Sequence, residues 1–334
     1  MKETLFFAGE KYPLLKNDPQ LIKLKMTPGG HPVWMWRDDP GDFAFGGNKV
    51  RFYEYLIPKI LREAPDVLLT TGSLYSNHIR VTAEVGKLLG IGVVLLITGD
   101  APEGGTAAYP NVAAAERLGA DIRYIGGFAA LLKANGIADE MRRETLPSGR
   151  EKKVFFVPNA GHAPTAVRAY AEVLAGALMR LDGFGVRPER VFLPTASGTT
   201  LAGLLCGSGV LSSMGVQVPS VTGFAVGNSP AGAVTAVKKL ISRASGFIDG
   251  LQDSPAPEVL TYGDCEYGRL SDELSKFRRR VSDDEGILLD PTYNTVAFAG
   301  TIDALEHDPG ESPVLYINTG GYTGTPDSAV RDDG

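Results

Sequence analysis

The sequence predicts an α/β protein with parallel sheets and helices on both sheet faces. Short apolar runs such as Val33-Trp34-Met35-Trp36, Gly92 to Thr98 and Val314 to Ile317 recur along the chain. Segments of helical spacing separate them, giving the strand–helix alternation from which parallel sheets are built. The runs are apolar throughout instead of alternating with polar residues, as strands covered on both faces are.

Taken in order, residues 1–42 read as loops with short strands. Val33 to Trp36 is a buried strand closed by Arg37-Asp38-Asp39, a polar turn read as a structural anchor. Phe52 to Arg62 is helical, Val67 to Leu69 is a strand ending in a turn at Thr70-Thr71-Gly72, and His78 to Leu89 is a helix. Strand Gly92 to Thr98 leads through a glycine-rich loop to helix Ala108 to Leu118 and strand Asp121 to Ile125. Helix Phe128 to Glu144 and strand Lys153 to Val157 follow. A second α/β run comprises helix 163–181, strand Arg190 to Leu193, the loop Pro194 to Thr200 and helix 201–213. Strand Ser220 to Val226 and helix Gly232 to Arg243 extend it. Ser245 to Tyr262, with Pro255 and Pro257, is expected to be irregular. Helix 271–281, a turn at Asp290 to Tyr293, helix 295–306 and strand Val314 to Ile317 complete the pattern, and the tail after Pro326 is expected to fray.

With 334 residues, 43% hydrophobic and 22% charged, the chain can bury a large core and form two domains. A net charge of −6 without a long basic cluster argues against nucleic acid as a partner. The run Arg278-Arg279-Arg280, after Lys276, reads as a solvated helix face. Two cysteines, Cys206 and Cys265, do not make a disulfide framework, and four scattered histidines show no metal-ligand spacing. The start of the chain has no signal pattern and no apolar run reaches membrane-spanning length, so a soluble, cytoplasmic protein is expected.

Two stretches invite a chemical reading. Gly46-Gly47-Asn48-Lys49-Val50-Arg51 sets a lysine beside paired glycines, and Ser76-Asn77-His78 follows the next strand. Glycines let backbone approach a bound group, and a lysine there can form a Schiff base with a carbonyl cofactor that Ser76 and Asn77 also reach. In isolation Gly46-Gly47-Asn48-Lys49 also makes an ordinary surface turn. Ser197-Gly198-Thr199-Thr200 lies between a strand and a helix start, where backbone N–H groups and hydroxyls suit a phosphate. A plain Ser or Thr helix cap fits there equally, and no Walker A lysine follows.

Those motifs, with Thr200-Leu201-Ala202-Gly203, Tyr267-Gly268, Leu289-Asp290-Pro291-Thr292-Tyr293 and Thr319-Gly320-Gly321, occur in one order from about residue 10 to residue 325. In that order they resemble the D-cysteine desulfhydrase and 1-aminocyclopropane-1-carboxylate (ACC) deaminase family, pyridoxal-phosphate enzymes of fold type II. The resemblance implies a tryptophan synthase β-like fold of two open, twisted, mostly parallel sheets. It implies a large domain of residues 1–51 and 161–334 and a small inserted domain of 52–160, with the cofactor between them. Lys49 is then the Schiff-base lysine, Asn77 the partner of the ring hydroxyl, and Ser76 a contact of the substrate carboxylate or an aid to proton transfer. His78 stands where desulfhydrases carry His and typical ACC deaminases Gln, and beside two site residues it counts among the catalytic residues as a contact of the substrate. Tyr267 and Tyr293 would polarise or protonate substrate, Ser197, Gly198, Thr199 and Thr200 would hold the phosphate, and Thr319 would face the ring nitrogen.

The implied reaction is α,β-elimination from a small amino acid to an aminoacrylate, then pyruvate and ammonia, catalysed by a homodimer. β-Replacement, ACC ring opening and a non-catalytic pyridoxal-phosphate binding protein are the alternatives, with a nucleotide-binding α/β protein as an outside reading. The chain departs from the family at Gly72-Ser73-Leu74-Tyr75, at Thr199, in the Pro158 to His162 loop and at Asn294-Thr295-Val296. At Asn294 an acidic residue would keep the ring nitrogen protonated and strengthen the electron sink, which an amide cannot do fully.

Overall fold

The computed structural model describes residues 10–39, 41–126, 130–248, 250, 251, 253–263 and 267–321. Phe128, Cys265 and the tail after Pro326 lie outside the described residues. Strands β1 (Gln20–Lys23) and β2 (Val33–Arg37) come first, followed by α1 (Asn48–Glu63), β3 (Val67–Gly72), α2 (Asn77–Leu89) and β4 (Gly92–Ile97). Next are α3 (Pro110–Arg117), β5 (Asp121–Tyr124), α4 (Ala130–Arg142), β6 (Val154–Phe156) and α5 (Pro164–Asp182). Then β7 (Arg190–Thr195), α6 (Thr199–Ser213), β8 (Ser220–Ala225) and α7 (Pro230–Ala244) alternate. The chain finishes with β9 (Glu258–Leu260), α8 (Asp272–Glu285), α9 (Asn294–His307) and β10 (Val314–Asn318).

The chain divides into two units: described residues up to Tyr55 and from His162 onward form one, and Leu56–Gly161 the other. The first holds a six-stranded sheet of order β1-β2-β10-β7-β8-β9, parallel except where β1 pairs antiparallel with β2. Its core gathers Val33, Met35, Phe192, Phe224, Phe298 and Tyr316 from strands and helix α9. Helix α6 is apolar all round and is buried from Thr199 through Leu211, as a helix without a polar face must be. The second unit holds a parallel sheet of order β5-β4-β3-β6, with Leu69, Val94, Leu96, Ala138 and Met141 in its core.

The sequence-based elements are present, with three corrections. Thr70-Thr71-Gly72 is not a turn: these residues pair with Leu95, Leu96 and Ile97 and lengthen β3. β-Branched threonines suit a strand as readily as a turn, and the neighbour strand decides. The stretch Ser245 to Tyr262 contains β9, a three-residue strand paired with Thr222, Gly223 and Phe224 of β8. Arg278 does not lie on a solvated face; it is buried, and its Nε donates to the Leu289 carbonyl at 2.7 Å. Among the described residues no helix is long and apolar enough to cross a membrane, and no cluster of His, Cys, Asp and Glu is placed to hold a metal.

Candidate active site

Strands β2, β10 and β7 run parallel and adjacent, so their C-terminal ends share one edge of the six-stranded sheet. Loops leaving that edge carry Lys49, Thr319 and the Ser197–Thr200 segment. The lysine loop is fixed by its backbone: Gly47 N donates to Asp38 O at 3.0 Å and Asn48 N to Thr319 O at 2.8 Å. Gly47 has φ +91°, and a Cβ there would stand 2.9 Å from the Thr319 oxygen. Gly47→Ala is therefore expected to cost about 1–2 kcal/mol from the left-handed backbone alone. It should also lower cofactor content, both effects being read by urea unfolding and absorbance. Asp38 anchors the loop from behind, accepting from Trp36 Nε1 and Arg51 Nε at 2.8 Å each and from the Tyr170 hydroxyl.

Lys49 opens α1, partly exposed, with Nζ 5.0 Å from the Phe52 ring centroid. Loss of water around the amine lowers its pKa from 10.5 to about 7. At neutral pH a large fraction is uncharged, which is the form that attacks a carbonyl.

The helix cap at α6 is Gly198, at φ +84°, and no side chain among the described residues caps the first turn. The Ser or Thr cap reading is thereby replaced, because the residue at the cap has no hydroxyl to offer. A Cβ at Gly198 would lie 2.8 Å from Val237 Cγ2, so both backbone and space call for glycine. Around the helix start, Thr200 Oγ1 accepts from Asn48 Nδ2 at 3.1 Å and Ser197 Oγ lies 3.4 Å from Thr199 Oγ1. Thr195 Oγ1, at the end of β7, is buried without a partner among the described residues. Amides without a side-chain cap, clustered hydroxyls and a lysine of lowered pKa are the donor set that a phosphate and a carbonyl on one cofactor require.

Asn294 and Asp290 form a buried network at the start of α9. Asp290 accepts from the Thr292 and Tyr293 amides at 3.0 and 2.7 Å, and from Asn294 N and Nδ2 at 2.8 and 2.6 Å. Burial pushes its carboxyl pKa up while those donors pull it back. The Asn294 amide also donates to Gly320 O at 3.1 Å, and its Oδ1 accepts from Thr319 N at 3.2 Å. Asn294 is thus committed to protein partners on both sides of the amide and ties the Thr319 turn in place. Tyr293 and Tyr267 meet hydroxyl to hydroxyl at 2.5 Å. Burial, then the neighbouring Tyr267, raises the Tyr293 pKa well above the ordinary value, so Tyr293 remains a protonated donor.

In the second unit, Ser76 caps α2, its Oγ accepting from His78 N at 3.2 Å. Asn77 Oδ1 accepts from Asn111 Nδ2 at 3.2 Å. His78 is wholly buried, with Nε2 3.0 Å from Thr70 Oγ1. The Thr70 proton goes to Val157 O at 2.8 Å, so His78 Nε2 is the donor of that pair. Tyr75, at one of the departures from the family, packs edge-on against Tyr109 with centroids 5.5 Å apart.

Sequence reasoning did not single out Asn48 or His162 as site residues. Asn48 stands inside the quoted motif, and its bond to Thr200 joins the two loops. His162 Nδ1 lies 3.0 Å from the Ser197 carbonyl, a contact between residues 35 apart that no local pattern encodes.

A family model described as pyridoxal-phosphate dependent enzyme matches residues 20–320. The chain belongs to that family. Pyridoxal phosphate is its cofactor, and the nucleotide-binding and non-catalytic readings give way to an enzyme. A Pyrococcus horikoshii protein, named provisionally as a 1-aminocyclopropane-1-carboxylate deaminase, is 30% identical over 330 residues, 97% of each chain. A Pyrococcus abyssi protein of the same name is 31% identical over 299 residues, 88% of this chain and 86% of its own. A crystal structure of an ACC deaminase homologue superposes with a TM-score of 0.80 at 29% identity, covering 95% of this chain and 93% of that one. Threonine deaminase isoform 2 of Solanum lycopersicum, at 14% identity and a TM-score of 0.64 over 95% and 88% of the two chains, shares the fold. The fold is accordingly that of fold-type II pyridoxal-phosphate enzymes.

Proposed function

We propose that this enzyme is a lyase that removes a β-substituent from a small amino acid, yielding pyruvate and ammonia, as D-cysteine desulfhydrases do. The observation that carries the reading is Lys49, its pKa lowered to about 7, on the sheet edge that also carries the open start of α6. Pyridoxal phosphate, when bound, supplies an electrophilic carbonyl and an electron sink. Lys49 would attach it and afterwards take and return a proton at Nζ. Ser197, Gly198, Thr199 and Thr200 would hold the phosphate and Thr319 the ring nitrogen. We assign Asn77 to the ring hydroxyl and Ser76 to the substrate carboxylate. Tyr293, paired with Tyr267, would deliver a proton from its hydroxyl. His78, next to Asn77 in sequence, is wholly buried and bonded to Thr70, so we assign it to shaping the Ser76–Asn77 turn in place of the substrate contact expected from the resemblance.

The test is pyruvate and ammonia release from a panel of D- and L-amino acids and ACC. Release from a β-substituted amino acid but not ACC supports elimination. A product of ring opening, 2-oxobutyrate from ACC, would replace it with the second reading, which the names of the two Pyrococcus relatives favour. O-Acetylserine or serine yielding a new amino acid with an added thiol, and releasing acetate or water, would instead indicate β-replacement. We further propose a homodimer in the cytoplasm, with residues 1–51 and 161–334 as the cofactor-holding domain and 52–160 as an inserted one. Light scattering of the purified chain tests the first of these.

Because only the neutral amine attacks a carbonyl, cofactor capture by the stripped chain is expected to speed up as pH rises through about 7 and to level off above it. Stopped-flow absorbance reads the rate. A pH-independent rate between about 6 and about 8, on the order of a unit either side of that midpoint, would contradict the lowered lysine.

A further inference from the structure

His162 stands at the phosphate loop on geometry alone. Its Nδ1 lies 3.0 Å from the Ser197 carbonyl, an oxygen that only accepts, so Nδ1 carries a hydrogen and Nε2 is the atom free to gain a second one. Three cations act on the ring from two elements: Arg243 and Lys239 of α7, and Lys49 at the start of α1. Helix α7 also packs on the loop itself, Val237 lying against Gly198. Partial burial and these positive charges hold the ring neutral, while the Ser197 carbonyl opposes them. A dianion at the loop reverses the balance, because its negative charge offsets the three cations.

We propose that His162 is a positioning residue that couples anion binding at Ser197–Thr200 to uptake of one proton. The imidazole clamps the loop through Ser197 in both states. When the anion arrives, Nε2 gains a proton from solvent and the ring adds a positive charge beside the loop to those of Arg243 and Lys239. By linkage, a protonated ring then favours the anion by the same factor that the anion favours protonation. Cofactor phosphate is held more tightly on the acid side of the ring's titration than on the alkaline side.

The inference rests on the reading of this loop as the phosphate site, and the experiment separates the two. The full chain, stripped of cofactor, is titrated with sulfate, which stays a dianion between pH 5.5 and 8.5, on the order of the range in which histidines titrate. Thermal stabilisation reports binding, and histidine NMR reports protonation; with four histidines in the chain, His162→Gln assigns the signal. Sulfate is expected to raise the His162 pKa by about one unit, matched by roughly tenfold tighter sulfate binding at low than at high pH. In a Lys49→Ala background, which removes the lysine that titrates near 7, His162→Gln, whose amide can still donate to Ser197 O, is expected to bind sulfate with no such pH dependence, whereas Lys49→Ala with His162 intact keeps it. Binding that leaves the His162 titration unmoved overturns the coupling and leaves the phosphate assignment standing. If neither sulfate nor the cofactor stabilises the wild-type chain, the phosphate assignment falls and the coupling falls with it.

Discussion

Lys49→Ala is expected to lower turnover by about 10²–10⁴-fold, the range over which a positioned proton-transfer group acts, and to release the cofactor on dialysis. The chain should still fold. The loop that carries the lysine is held by backbone bonds from Gly47 and Asn48, which the substitution leaves intact. Stability offers a second reading of the same residue. The folded amine titrates near 7, whereas an unfolded lysine titrates near 10.4 on the usual scale. The unfolded state therefore holds the proton over the interval between them, and stability of the cofactor-free chain rises with pH from about 7 to about 10. Below about 7 that contribution is gone. Urea midpoints of the stripped wild type should climb over this interval, and those of Lys49→Ala should not.

Asn294→Ala is expected to be the costliest single change in the site, by about 3 kcal/mol in urea unfolding. The side chain is wholly buried, and its removal strands the Thr319 amide and one Asp290 oxygen bond; each unmet buried group costs about 1–3 kcal/mol. Tyr316, whose hydroxyl lies 3.3 Å from Asn294 Oδ1, loses a partner as well. Asn294→Asp separates the amide's role from its shape. It sets a second carboxyl against Asp290, whose own carboxyl is already pushed up by burial. Two carboxylates at hydrogen-bond distance share a proton, so this variant should be more damaged at pH 8 than at pH 5. Equal stability at both values would show that the pair does not interact.

Much of the fold could be read from the chain because buried parallel strands announce themselves as apolar runs. β4, Gly-Val-Val-Leu-Leu-Ile, and β10, Val-Leu-Tyr-Ile-Asn, are of this kind. β9 is not: Glu-Val-Leu is short and follows Pro255 and Pro257, and only its pairing with β8 makes it a strand. The candidate site residues that lie within compact motifs could be proposed from the chain, Lys49 beside its glycines above all. What a residue does with its side chain was less so. Asn294 looked like a gap left by a missing acid, yet its amide is engaged by Asp290 and by the adjacent Thr319 and Gly320, from two separate stretches of sequence. Ser197 and Thr199 looked like helix caps, and the cap is Gly198 because a left-handed backbone against Val237 admits little else.

The most direct test of the account is reduction of the cofactor-loaded protein with borohydride, followed by peptide mass spectrometry. A Schiff base is trapped by this treatment as a stable amine. One pyridoxyl-phosphate adduct is expected, on Lys49, and it is expected to disappear in Lys49→Ala. An adduct on another lysine, or none after reduction of a chain shown to hold the cofactor, would contradict it.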